Sequence, residues 1–81
     1  MTAVYLLADG RDFPENSPLP RIERTCLAED IAKLRSFGRD SEGRRREFDR
    51  IHRSMGNAYA DRLRAEYDAD RERRRAERDG A

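Results

Sequence analysis

Apolar residues occur along the chain in three groups, each with its own period. The first is the run Val4, Tyr5, Leu6 and Leu7, rich in strand-forming side chains and followed by Asp9-Gly10, a strong turn signal. Arg11-Asp12-Phe13 supplies a return strand, which predicts a β-hairpin over residues 2–13. A two-stranded hairpin is marginal by itself in water, so it must lie on a helix or pair with another chain. Either it caps the protein's own helices, or Val4, Tyr5 and Leu6 present an edge to which a partner's sheet adds.

The second group, Leu27, Ile31, Leu34 and Phe37, repeats at helical spacing, with Ile22 and Cys26 widening the stripe. It predicts a helix over about 21–37 with Gly38 just past its end. Pro14, Pro18 and Pro20 make 14–20 an extended connector, because proline fixes φ and restricts the residue before it. Glu29 and Lys33 stand four apart, as an outward ion pair would.

The third group is Phe48, Ile51, Met55, Tyr59, Leu63 and Tyr67, spaced by three and then by fours. Such a stripe drifts round a helix rather than keeping a heptad. With Asp40 or Ser41 as N-cap, it predicts a long helix over about 42–67. Gly56-Asn57 interrupts it, either as a C-cap followed by a new N-cap or as a bend; the bend is preferred. This helix then pairs with the first as an antiparallel helical hairpin. Residues 68–81 carry no large apolar side chain and form a charged helical extension or tail, with Arg62–Glu66, Arg64–Asp68, Asp70–Arg74 and Arg73–Glu77 as available i,i+4 pairs. The expected fold is mainly α with minor β: residues 1–67 form one small domain, a hairpin on two helices, and a charged extension follows.

Composition sharpens this outline. Of 81 residues 36% are hydrophobic and 43% charged, so the core is thin and the C-terminal half cannot hold itself together by burial alone. A partner chain, a larger complex or a homo-oligomer is the natural remedy. Net charge is only +1, which argues against long-range steering to nucleic acid. With one cysteine, no basic leader and no long apolar segment, the sequence reads as a cytoplasmic protein with no membrane role.

Catalytic chemistry has little to build on. His52 is the sole histidine and Cys26 the sole cysteine, which leaves a Cys26–His52 dyad remote and a zinc set out of reach. No phosphate-cradling glycine loop occurs. No catalytic, cofactor or metal residue is assigned, and the chain is read as non-enzymatic.

Basic side chains are more informative. Arg44, Arg45 and Arg46, continued by Arg50 and Arg53, give residues 43–53 five positive and two negative charges. Cations at a helix N-terminus oppose its dipole, and with free N–H groups they would make an anion site. The alternative is neutralisation by Asp40–Arg44, Glu42–Arg46 and Asp49–Arg53. Further along, Arg71 and Arg74 are candidate partner contacts within a run so mixed with acids that it also suits a solvated face. Leu27–Arg46 stretches only poorly onto a helix-turn-helix, because its loop is long.

These features predict a non-enzymatic interaction module that docks on a larger protein assembly. Size and composition suit a phage or mobile-element accessory protein. It would act as an inhibitor of host or defence machinery, in the manner of the anti-CRISPR class, or as a small structural component. The alternative is nucleic-acid binding through Arg44–Arg53.

Overall fold

A computed structural model describes residues 3–80; Thr2 and Ala81, assigned above to the first strand and the tail, lie outside the described residues. The chain folds as β1 (Val4–Leu6), β2 (Asp12–Pro14), α1 (Pro18–Ser36), α2 (Ser41–Met55) and α3 (Asn57–Gly80). The fold is mainly α with a minor antiparallel sheet, as expected.

β1 and β2 pair in the register Val4↔Pro14, Tyr5↔Phe13 and Leu6↔Asp12. Leu7 N–H donates to Arg11 O and Glu15 N–H to Ala3 O, so Val4 and Pro14 form a pair without ladder hydrogen bonds. Pro14 therefore closes the strand without a lost donor.

α1 begins at Pro18, three residues before the expected start. Pro18 at N1 and Pro20 at N3 occupy the first turn, where N–H groups have no intrahelical acceptor, so the expected connector over 14–20 shrinks to three residues. α1 stops at Ser36, and Gly38 takes the left-handed φ of +58° that the C′ position requires.

The single bent helix over 42–67 is not formed. Gly56 adopts φ +93° and ψ 172°, outside helical space, and its N–H donates to His52 O as it ends α2. An L-residue with a side chain is strained at that φ, so glycine makes this break inexpensive and α3 leaves in a new direction. The helical hairpin is therefore a three-helix arrangement in which every pair of helices touches.

Leu27, Leu34, Ile51, Tyr59 and Leu63 form the buried core, with Cys26, Ile31, Phe48 and Tyr67 packed at its edge. Three stripe members fall outside it. Phe37, just past the end of α1, is half-buried beside Gly43 instead. Ile22 is 58% exposed, because five residues at about 100° each put it on the far side of α1 from Leu27. Met55 is 50% exposed, because α2 ends there and α3 turns away. The molecule is flat, 41 × 36 × 15 Å, as a core this small dictates.

Two polar clusters join the elements. Tyr5 Oη donates to Glu23 Oε1 (3.1 Å), Ala8 N–H donates to the same carboxylate, and Arg62 Nη2 donates to Leu6 O (2.7 Å). Together they fasten the hairpin to α1 and α3. Across the core, Tyr59 Oη donates to Asp30 Oδ2 at 2.6 Å. Burial, and then that bond to a carboxylate, push the Tyr59 phenol well above its usual range.

The charged extension is helical to Gly80. Asp70 still reaches α1, at 3.9 Å from Arg35, so the unsupported part of α3 starts after it. Of the four ion pairs expected along α3, Asp70–Arg74 is present at 2.9 Å.

Candidate binding groove between the second and third helices

Asp40, the N-cap of α2, accepts a hydrogen bond from Gly43 N–H at 2.9 Å. Its carboxylate thus serves the helix end rather than Arg44. None of the neutralising pairs Asp40–Arg44, Glu42–Arg46 or Asp49–Arg53 comes within ion-pair distance among the described residues. Arg44 is instead half-buried and donates to Gly38 O, the carbonyl left free at the end of α1.

Along α3, Arg64, Tyr67, Asp68 and Arg71 recur at three- and four-residue intervals and share one face. That face meets the start of α2 over a groove of about 300 Å³. Leu34, Phe48 and Tyr67 supply its apolar floor; Arg44, Arg45, Arg64 and Arg71 supply its cationic lining. Asp49 and Asp68 stand among them. The Arg64 guanidinium lies over the Phe48 ring, 4.8 Å from its centroid, where the negative face of the ring attracts it. None of the four arginines has a carboxylate within 4 Å among the described residues. Unpaired guanidinium groups around an apolar floor can take an apolar side chain flanked by carboxylates, each through paired N–H donors.

The single basic patch expected over Arg44–Arg53 is divided. Arg44 and Arg45 enter the groove, whereas Arg46 and Arg53 do not line it. Arg50 sits on another side of α2, bonded to Glu47 and lining a cleft with Cys26, Glu29 and Met55. Lys33 Nζ also reaches Glu47, at 2.8 Å, instead of its expected partner Glu29. Arg50 first, and then Lys33, hold the Glu47 carboxyl down at about 2. Arg71 joins the groove; Arg74 is tied to Asp70. Arg64 was missed, although its three- and seven-residue spacings to Tyr67 and Arg71 place all three on one helix face.

At the hairpin, Val4 and Leu6 expose their side chains while Tyr5 is turned to the helices. Arg62 holds Leu6 O and Glu23 holds Ala8 N–H, so two of the outward backbone groups that an added strand would use are already bonded.

Cys26 and His52 are not brought together: Cys26 packs on the core, and His52 Nε2 contacts Asn57 Oδ1. Among the described residues no group of three or more His, Cys, Asp or Glu side chains is placed to hold a metal ion, and no helix is long and apolar enough to cross a membrane. Comparison with protein-family models, curated proteins and solved structures finds no match for this chain.

Proposed function

We propose that the protein is a non-catalytic interaction module that docks on a larger protein assembly, and that the groove between α2 and α3 receives an acidic segment of that partner. The observation that carries this reading is the gathering around Leu34, Phe48 and Tyr67 of four arginines, none with a carboxylate partner among the described residues. Isolated in water, such guanidinium groups gain nothing from their mutual proximity, whereas carboxylates on a bound chain would pair with several at once. An apolar side chain between those carboxylates would cover the floor. Asp49 and Asp68 repel any anion. They therefore favour a short segment that can set its carboxylates against the arginines and its apolar side chain beside the aspartates, over a phosphate backbone, whose regularly repeated charges could not avoid them. An accessory inhibitor and a small structural component would both use such a contact.

Nucleic-acid binding is kept as a second reading for one reason. Arg71 also begins a strip with Arg74, Arg75 and Arg78 along the unsupported end of α3, the arrangement that tracks a phosphate chain.

Fluorescence anisotropy separates the two. The probes are labelled peptides with Leu or Phe flanked by Asp and Glu, and single- and double-stranded oligonucleotides. The proposal expects peptide binding that is lost in Arg44→Ala/Arg71→Ala. Oligonucleotide binding that collapses with salt, with no peptide binding, would replace it by the second reading.

A further inference from the structure

The far side of α1 carries a second surface, separate from the groove. Pro18, Ile22, Thr25 and Glu29 lie opposite the core-facing Leu27 and Leu34, and all four are exposed. Ile22 and the half-buried Cys26 line one cleft; Cys26 and Met55 line the next, so an apolar strip runs from α1 to the end of α2. Ile22 and Met55 are 58% and 50% exposed. On α1 itself Arg21 and Glu29 lie at opposite ends of this face, and neither has an ion-pair partner among the described residues; the other two charges of the second cleft, Asp30 and Arg50, are already bonded to Tyr59 and Glu47. Glu29 is left single because Lys33 turns to Glu47.

We infer that this face binds a second copy of the chain as a two-fold, antiparallel α1–α1 contact centred on Thr25. Arg21 and Glu29 lie equally far on either side of Thr25, about 6 Å along the helix axis each way. A two-fold axis at Thr25 therefore sets Arg21 of each chain level with Glu29 of the other, within an arginine's reach. The surface is complementary to itself in charge, as an isologous contact requires. A parallel arrangement would instead bring like charges level. Antiparallel pairing also sets the two α1 dipoles antiparallel, each N-terminal end toward the other's C-terminal end, and the strip of Ile22, Cys26 and Met55 is covered beside the axis.

Sedimentation equilibrium over a concentration series, on the full chain, tests this. A mass rising from 9.5 kDa toward twice that value is expected. Arg21→Glu and Glu29→Arg, each alone, turn two attractions into two repulsions and should raise the dissociation constant by about tenfold or more. The double variant restores both pairs with reversed sign and should recover the dimer. Both positions are exposed, so circular dichroism should show every variant folded. A chain that stays monomeric throughout overturns the inference and leaves the face to a different protein. A dimer indifferent to the single reversals, or not rescued by the double one, overturns it equally.

Discussion

Gly43 is the third residue of α2 and is buried, an unusual place for glycine because the residue costs helix stability. In an ordinary helix interior Gly→Ala stabilises by about 1 kcal/mol. Here the opposite sign is predicted. A Cβ on Gly43 would lie 2.9 Å from Phe37 Cδ1 and 2.9 Å from Asp40 Cγ, and would press on Asp40 Oδ2. Carbon atoms prefer about 3.5–4.0 Å. Relief requires Asp40 to leave the Gly43 N–H, at about 1 kcal/mol for a lost cap. It also requires Phe37 to shift, at roughly 1–3 kcal/mol for overpacking. After the helix gain is subtracted, Gly43→Ala should destabilise by about 1–3 kcal/mol, lowering Tm by roughly 5–20 °C in a domain of this size. Thermal unfolding followed by far-UV circular dichroism measures this directly. In an Asp40→Ala background the penalty should shrink, because only the Phe37 contact remains. An unchanged or raised Tm for Gly43→Ala would refute the packing assigned to the α1–α2 junction, and with it the placement of Arg44 and Arg45.

Three other perturbations follow from the polar contacts. Tyr59→Phe removes a hydrogen bond to a carboxylate and should cost about 1.5–3 kcal/mol by chemical denaturation; no loss would show that Asp30 and Tyr59 are not bonded. Both Glu47 and Tyr59 make stability depend on pH, with opposite signs. The lowered Glu47 contributes stability above its ordinary value of 4.5 that is lost as pH falls toward about 2. The raised Tyr59 contributes stability that is complete below pH 10 and lost as pH rises beyond it. Glu47→Gln should therefore flatten the acid limb of a Tm–pH profile and leave the alkaline limb in place. Arg62→Ala should release the hairpin from α3, read as faster amide exchange in residues 4–14 with little change at Leu27 and Leu34.

Periodicity was enough to find the core of α1, the end of that helix at Gly38 and most of the α2–α3 stripe. Local pattern could not place what depends on direction. Gly56 terminates a helix instead of bending it, and that choice rests on whether a tight break brings Tyr59 and Leu63 onto Leu27 and Leu34. Pro18 and Pro20 read as breakers from composition alone, yet the first turn of a helix tolerates both. Charge pairing was the least legible. Each i,i+4 acid was a plausible partner for its arginine, but Asp40 caps the helix and Lys33 turns to Glu47. The groove was invisible as a unit because Arg44 and Arg71 are far apart in sequence and meet only through the turn at Gly56.

The central claim is that Arg44, Arg45, Arg64 and Arg71 act on one ligand while Arg46 and Arg53, equally basic and on the same helix as Arg44, do not. Dissociation constants for one acidic peptide, measured across single alanine variants at all six positions, test it most directly. The account predicts weakening at the four groove positions, non-additive coupling between Arg44→Ala and Arg71→Ala, and no change at Arg46 or Arg53. Equal losses at all six positions, or losses confined to Arg44–Arg53, would contradict it and return the basic side chains to a diffuse charged surface.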